Sequence, residues 1–182
     1  MDAASLVEEV KLRLEYTIKE KNVEVVIAKE LPRIFCDRVR IMEVFANLVS
    51  NAIKFNNKPN PRVEIGSSIK GDYYEFYVLD NGPGIEEQYY EKIFEIFQRL
   101  GKKEDSEGTG VGLAIVKKII EMHHGKVRVE SKVGEYTAFY FTIPKKGVIT
   151  ENKRIGEILV EKNLVSEEEL KKALEEQKES GG

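Results

Sequence analysis

The sequence is poor in the residues that build disulfides and metal clusters. Among 182 residues it has one cysteine, Cys36, two histidines, His123 and His124, and no tryptophan. One cysteine excludes an intramolecular disulfide and a cysteine metal cluster, and two histidines need several carboxylates to complete a zinc site. We therefore expect a reducing, cytoplasmic environment.

Long apolar runs and an excess of one charge are also missing. No stretch approaches the length of a membrane span, and the N-terminus lacks a signal-peptide pattern. We expect no membrane contact by this chain, so any anchor belongs to another part of the parent protein. The 29 Lys and Arg against 32 Asp and Glu leave a net charge of −3, so we expect no nucleic-acid partner.

Hydrophobic periodicity predicts an alternation of helices and strands over residues 5–144. A spacing of four predicts helices over 5–21 and 37–55, and alternation predicts strands over 62–69 and 73–80. The remaining predictions are strands over 23–32, 126–131 and 136–144, a short helix over 86–98, and a helix ending near residue 122. Because hairpins join several strands, we predict an α+β fold whose mixed, largely antiparallel sheet carries helices on one face.

The C-terminal residues have a different pattern. Residues 145–153 are polar and predict a linker, and Ser166 with Glu169 forms a capping box that predicts a helix from about residue 167. We therefore predict a domain over 1–146 and a linker with a small helical appendage over 147–182.

Three alternate glycines, Gly108, Gly110 and Gly112, precede an apolar helix in EGTGVGLAIVKKIIE. Glycine weakens helices, but it lets the backbone approach a ligand closely, and the following helix N-terminus attracts anions. The stretch predicts a phosphate cradle; a loop that only caps the helix is the alternative. A Walker-type loop is excluded because the Gly-Lys-Ser/Thr ending is missing.

Two amides share one helical face in NLVSNAIKF, because Asn47 and Asn51 are four residues apart and Lys54 follows on the same side. An amide oxygen suits Mg²⁺, and lysine suits phosphate. The alternative is the polar edge of an ordinary helix.

A carboxylate ends an apolar strand in LDNGPGI. Asp80 could accept a hydrogen bond from an exocyclic amine such as that of adenine, and Gly82 and Gly84 would let the chain pass close to a flat ring. A plain turn is the alternative, since this composition is typical of turns.

The order and spacing of these motifs resemble the GHKL ATPase superfamily, and within it the catalytic ATP-binding domain of sensor histidine kinases. NLVSNAIKF resembles the N box, DNGPGI the first glycine box, KIFEIFQR the phenylalanine box and EGTGVGLAI the second glycine box. The run from FQRL to VKKIIE is particularly similar to phytochrome-type kinases. The resemblance covers about residues 5–145 and implies a Bergerat-type fold, an α/β sandwich that binds ATP and Mg²⁺.

The resemblance assigns roles to the nucleotide-binding residues. Asn51 would coordinate Mg²⁺, Asn47 would support that site, and Lys54 would contact phosphate. Phe55 would pack on the adenine, and Asp80 would bind its amino group.

Glycine-rich segments and the phenylalanine box complete this set. Gly82 and Gly84 would line the base pocket, and Arg99 would reach the γ-phosphate. Phe94 and Phe97 would anchor a lid over the nucleotide, and the lid hinge and phosphate cradle would comprise Gly108, Thr109, Gly110 and Gly112, with Leu113 packing beneath.

Asn47 separates subclasses of this superfamily. Its ATPases typically carry a Glu there that activates water, whereas an amide cannot take a proton. We therefore predict slow hydrolysis and transfer of the γ-phosphoryl group, with Asn47, Lys54 and Arg99 as catalytic residues. The acceptor would be a histidine on a separate dimerisation domain of the parent kinase, and a response regulator would be the next partner.

The chain also departs from the family. It lacks a recognisable phosphoacceptor helix, which makes it resemble a catalytic fragment, and His123 and His124 are not at an acceptor position. Tyr136 replaces the second glycine of a Gly-x-Gly-Thr pattern, where it would narrow the nucleotide pocket or alter a turn. A degenerate nucleotide-binding scaffold and an anti-sigma-type serine kinase remain as alternatives.

The appendage has a resemblance of its own. RIGEILVEKNLVSEEELKKALEEQ is similar to the N-terminal module of type II secretion ATPases. Some of those modules bind cyclic di-GMP, so the resemblance implies a cyclic dinucleotide as a partner; a plain helical tail is the alternative.

Overall fold

The computed structural model describes residues 1–28, 30–95 and 111–146. The chain divides into two units, Met1–Gly147 and Val148–Gly182, and all of the described residues belong to the first. The predicted linker and appendage over 147–182 lie outside the described residues, and so do Phe97, Arg99, Gly108, Thr109 and Gly110.

Four helices form in the described part of the chain: α1 (Ala3–Arg13), α2 (Glu15–Glu20), α3 (Arg38–Lys54) and α4 (Gly112–Met122). Side-chain caps begin two of them, because the carboxylates of Asp2 and Asp37 accept hydrogen bonds from first-turn N–H groups. The single helix predicted over 5–21 is interrupted at Leu14, which packs against the core together with Ile18. No helix in the described ranges is long and apolar enough to cross a membrane.

Five strands form one mixed sheet: β1 (Glu24–Ile27), β2 (Arg62–Lys70), β3 (Tyr73–Asp80), β4 (Val127–Lys132) and β5 (Tyr136–Pro144). Their order is β1-β2-β3-β5-β4, in which β1 and β2 are parallel and the other pairs antiparallel. The predicted fold class, a largely antiparallel sheet in an α+β fold, is confirmed.

Three phenylalanines join the helices to the sheet. Phe45 on α3 meets Phe76 of β3 and Phe141 of β5 edge-on, with ring centroids 5.7 and 5.2 Å apart. All three side chains are fully buried. Each aromatic ring buries a large apolar area, so this contact fixes α3, and the polar residues it carries, against the sheet.

The other face of the sheet is polar and self-paired. The Glu75 carboxylate, only 7% exposed, lies 2.6 Å from Lys70 Nζ and 3.1 Å from an Arg128 guanidinium nitrogen. Burying a carboxylate is costly unless cations pair with it, which accounts for these two neighbours.

The helix predicted over 86–98 is wrong for the residues that the structure describes there. Two 3₁₀ turns, Glu87–Tyr89 and Lys92–Phe94, take its place. The Tyr90 hydroxyl donates to the Ser131 carbonyl at 2.7 Å, and the Phe94 ring meets Phe139 edge-on. These separate contacts with the sheet outweigh the weak local preference for one continuous helix.

His123 links the end of α4 to the start of α3, the helix that carries the polar stripe of Asn47, Asn51 and Lys54. The N–H of Asp37 donates to His123 Nε2 at 3.2 Å, and His123 Nδ1 lies 2.8 Å from the carbonyl of Ile119. Nε2 must be unprotonated to accept, so Nδ1 carries the proton and donates it. The end of α4 is thereby tied to the start of α3.

Candidate nucleotide-binding site

Asp80 is the centre of one end of the candidate site. It is the last residue of β3, lies opposite Val63 and Thr137, and is 7% exposed. The N–H of Gly82 donates to its Oδ1 at 2.8 Å. Burial raises the pKa of this carboxyl group to about 6, and the hydrogen bond from the Gly82 N–H offsets only part of that rise. A buried carboxylate with spare acceptor capacity is suited to an amine donor from a ligand.

The glycines after Asp80 are required by close backbone contacts. A Cβ on Gly82 would lie 2.5 Å from Asp80 Oδ1. Gly84 has φ +76°, and a Cβ there would lie 2.4 Å from the Lys132 carbonyl oxygen. Gly84 therefore lets this segment pack on the turn between β4 and β5, and its contact with a base stays a prediction.

The other end of the site is the polar stripe of α3. Asn47, Asn51 and Lys54 are all half-buried. Asn47 Nδ2 donates to the Glu43 carbonyl at 2.9 Å, which leaves its Oδ1 as an acceptor. A Cβ on Gly112 would lie only 2.7 Å from that Oδ1, so the first residue of α4 rests against the Asn47 amide.

The start of α4 presents N–H donors that have no partner within the helix itself. Its N-cap residue, Val111, makes no side-chain capping bond. The first N–H groups of a helix have no partners within the helix, and they carry the positive end of its dipole. Asn47 and α4 thus bring an amide oxygen and an anion-binding helix end together.

Lys54 and Phe55 close α3. The Lys54 ammonium lies 5.6 Å from the centroid of the Phe55 ring, and that ring is 52% exposed. Lys21 Nζ donates to the Lys54 carbonyl at 2.9 Å, which holds the helix end. An exposed aromatic face beside a cation is available for stacking on a base. Leu113, on α4, packs against the core, and its place beneath the phosphate cradle stays a prediction.

The structure adds two buried polar residues that the motif analysis missed. Asn56 is 8% exposed and lies next to Gly82, and Thr137 is 5% exposed and faces Asp80 across the β3–β5 pair. Asn56 directly follows the NLVSNAIKF motif, which is the signal that could have identified it. Thr137 is the threonine of the stretch compared above with Gly-x-Gly-Thr, and that pattern is its signal.

Tyr136 lies on the opposite side of the sheet from the Asp80 carboxylate. Successive strand residues face opposite ways, and Thr137 shares the helix-covered face with Asp80. Tyr136 lines a depression together with Arg62, Leu79 and Tyr140; Asp80 also borders this depression, although its carboxylate shares the face of Thr137. The register gives no support to the expectation that it narrows the nucleotide pocket.

Residues 36–147 match the family model described as histidine kinase-, DNA gyrase B-, and HSP90-like ATPase. The match covers more than half of the chain, so the chain belongs to this ATPase family and is a nucleotide-binding domain. The described residues of the candidate site all lie within the matched range.

The similar proteins place the chain in the histidine kinase branch. It is 41% identical over 143 residues to phytochrome-like protein Cph1 of Synechocystis sp. The aligned residues make up 79% of this chain and 19% of Cph1. The chain thus spans 15 to 19% of the length of Cph1 and of two cyanobacterial phytochromes of Nostoc sp. that it also matches.

Solved structures agree. The nucleotide-free catalytic domain of histidine kinase ThkA has a TM-score of 0.69 and 34% identity, covering 80% of this chain and 93% of that one. Full-length ShkA in complex with AMPPNP has a TM-score of 0.69 and 30% identity, covering 79% and 30%. ThkA in complex with the response regulator TrrA has a TM-score of 0.65 and 33% identity, covering 81% and 41%. The resemblance to a histidine kinase catalytic domain is confirmed.

Proposed function

We propose that this chain binds Mg·ATP and positions its γ-phosphoryl group for transfer to a histidine on a separate dimerisation domain of the parent kinase. The observation that carries the proposal is the contact between the Asn47 amide oxygen and the start of α4. It puts anion-binding N–H groups beside a side chain that cannot act as a base.

Adenine recognition belongs to the Asp80 end. The buried carboxylate would accept the exocyclic amino group, and the exposed Phe55 ring would pack on the base. Gly82 leaves the carboxylate unobstructed, because a side chain there would meet Asp80 Oδ1. A site built to accept a hydrogen bond discriminates strongly against bases that lack the donor.

Phosphate binding belongs to α3 and α4. Lys54 would neutralise phosphate charge, and Asn51 would hold Mg²⁺ through its amide oxygen. The donor set fits this ion, because Mg²⁺ in nucleotide sites takes few protein ligands and fills its shell with water and phosphate oxygens. When bound, the ion neutralises charge on the transferred phosphoryl group. Arg99, Gly108, Thr109 and Gly110 are proposed on the family resemblance alone.

The reaction needs little acid–base chemistry from this chain. A neutral imidazole nitrogen has a lone pair, so a nitrogen–phosphorus bond can form as the bond to the ADP oxygen breaks, without a base to activate the nucleophile. Positioning and charge neutralisation then suffice. Water is a poor nucleophile without a base, so hydrolysis should be slow.

The proposed reaction requires two partners, because this chain binds ATP and another domain carries the acceptor histidine. The chain would dock on a dimerisation domain that carries the histidine, and a response regulator would accept the phosphoryl group afterwards. The complex of ThkA with TrrA supports the second step by analogy. We place this chain in the cytoplasm, where ATP is available. The cyclic-dinucleotide prediction concerns residues outside the described ranges and stays a prediction.

A calorimetric titration with Mg·ATP tests the first step, with Asp80→Asn as the variant and Asn57→Asp, on an exposed loop position, as the control. We expect one-to-one binding that the Asp80 variant loses and the control keeps. A supplied histidine domain and radiolabelled ATP then test transfer. A folded wild-type chain that binds no ATP would contradict the proposal, and binding without transfer would favour the scaffold alternative.

A further inference from the structure

A network of side-chain amides borders the Asp80 end of the site. It joins three segments that are distant in the sequence: residues 56–62, residues 81–84 and the turn over 132–135. Asn81 is its centre. Its Oδ1 accepts from Asn56 Nδ2 and from the Arg62 N–H, both at 2.8 Å, and its Nδ2 donates to the Asn60 carbonyl at 2.9 Å.

These bonds need an amide in one orientation. Two donors converge on Oδ1, and one acceptor faces Nδ2, so neither a carboxylate nor a flipped amide reproduces the set. Asn56 is fixed in turn, because it is buried and its Oδ1 accepts from the Lys58 N–H at 3.1 Å. An unsatisfied polar group here would cost more than an ordinary hydrogen bond contributes.

The network also reaches the turn between β4 and β5. Lys58 Nζ donates to the Gly134 carbonyl at 2.6 Å, and the Gly134 N–H donates to the Pro83 carbonyl at 2.6 Å. The segment that follows Asp80 is therefore held from both sides. The loop after α3 holds one side and this turn holds the other.

Among the described residues, the Asp80 carboxylate receives its one hydrogen bond from this held segment. The N–H of Gly82 donates to Asp80 Oδ1, and a Cβ on Gly82 would lie 3.6 Å from Asn56 Cα. A shift of residues 81–82 would move the N–H that orients the carboxylate. That N–H belongs to the peptide bond between Asn81 and Gly82, so a movement of Asn81 acts directly on the Asp80 carboxylate.

We propose that Asn81 is a positioning residue for base recognition, which holds the Asp80 carboxylate in the orientation that accepts the adenine amino group. The inference deepens the proposed function and rests on it. Asn81 acts through Asp80 and Gly82, not by contact with the nucleotide. Its loss should therefore affect ligands that carry the base and spare ligands that consist of phosphate alone.

The test is Asn81→Asp, which keeps the side-chain shape but turns a carboxylate oxygen toward the Asn60 carbonyl. The control is Asn57→Asp, which adds the same charge to an exposed position of the same loop. The probes are Mg·ATP and Mg·tripolyphosphate, titrated separately, with thermal unfolding as a check of folding. We expect the Kd for Mg·ATP to rise about tenfold or more, as is typical when a residue that orients a ligand-binding group is changed. The Kd for tripolyphosphate should stay within about twofold, which is at most 0.4 kcal/mol.

Each outcome bears on one of the two proposals. Equal losses for both ligands, or no loss for either, would overturn the role of Asn81 while the proposed function stands. A wild-type chain that binds tripolyphosphate but shows no preference for ATP would overturn base recognition itself, and the role of Asn81 with it. If Asn81→Asp does not fold, Asn56→Ser removes the bond to Asn81 and leaves a hydroxyl that can accept from the Lys58 N–H. This variant should give a smaller loss that is again confined to Mg·ATP.

Discussion

The two ends of the candidate site are built in different ways. At the proposed base end, Asp80 is 7% exposed and its carboxylate accepts a hydrogen bond from the Gly82 N–H, beside the network of the Asn56 and Asn81 amides. At the proposed phosphate end, Asn47, Asn51 and Lys54 are half-buried on a helix stripe, and within the described residues the Asn47 side chain bonds to its own helix. One end is assembled before any ligand arrives, and the other presents groups that a ligand can complete.

This difference indicates where selectivity and chemistry reside. Under the proposed function, a buried carboxylate whose geometry is fixed by the fold would discriminate between bases. Half-exposed amides and an ammonium would tolerate a change in the number of phosphates, as the proposed binding of ATP and release of ADP require. Changes at the two ends should therefore differ in what they affect, and the following predictions test this difference.

The largest effect should come from Gly84→Ala at the base end. A side chain must adopt φ +76°, and its Cβ would lie 2.4 Å from the Lys132 carbonyl oxygen. We expect the free energy of unfolding to fall by on the order of 2–4 kcal/mol. Gly71→Ala is the control, since φ is +55° there and no atom lies within 4 Å; it should cost about 1 kcal/mol. Urea unfolding measures both, and equal losses would contradict the backbone contact.

Asp80→Asn should separate stability from binding. The folded-state pKa of Asp80, about 6, lies above its ordinary value of 3.8, so the wild-type loses stability as pH rises from about 4 to 6. The amide of the Asp80→Asn variant does not ionise, so the variant does not lose stability in this way. We expect the unliganded variant to be more stable at pH 7 by on the order of 2–3 kcal/mol, with a difference that vanishes below pH 4. The free energy of unfolding of the wild type and the variant, measured at pH 7 and below pH 4, checks the sign. The affinity of the variant for Mg·ATP should be about 100-fold lower.

The same pKa predicts a pH dependence of binding. Ionised Asp80 is the better acceptor, so the affinity of the wild type for Mg·ATP should weaken as pH falls below about 6. We expect a loss of up to about tenfold at pH 5. Mg·tripolyphosphate serves as the control for protonation of the ligand. A parallel loss for both ligands would assign the effect to the phosphate end.

The smallest effect should come from Gly112→Ala at the phosphate end. Alanine favours the helix by up to about 1 kcal/mol, but its methyl group would lie 2.7 Å from Asn47 Oδ1 and displace that side chain. We expect unchanged or slightly raised stability, with a Kd for Mg·tripolyphosphate about threefold higher, or about 0.7 kcal/mol. Lys117→Ala, on the exposed side of α4, is the control. If the two variants bind alike, the contact between Asn47 and α4 has no role in phosphate binding.

Much of the fold could be predicted from periodicity. The helix predicted over 37–55 is α3 (Arg38–Lys54), and the strand predicted over 73–80 is β3 (Tyr73–Asp80). These elements have a long apolar stripe or strict alternation. The helix predicted over 86–98 failed because Tyr90 and Phe94 make contacts with strands that follow them by about 40 residues.

Some residues of the candidate site could likewise be predicted from the sequence, and others could not. Asp80 could be placed because a carboxylate at the end of an apolar strand is visible in the sequence. The amide network could not, since Asn81 bonds to residues 19 to 25 positions away through single atoms, with no repeating pattern. The contact of Gly84 with the backbone of Lys132 was hidden for the same reason.

The sheet order has a consequence for evolution. Asp80 and Thr137 pair across neighbouring strands although α4, β4 and the segment between Phe94 and Gly112 lie between them in the chain. The entropic cost of closing a flexible connection grows only with the logarithm of its length, so doubling the whole connection costs about 0.6 kcal/mol. A lineage could therefore lengthen the connection between β3 and β5 at little cost to the sheet, while the pairing of Asp80 with Thr137 is kept.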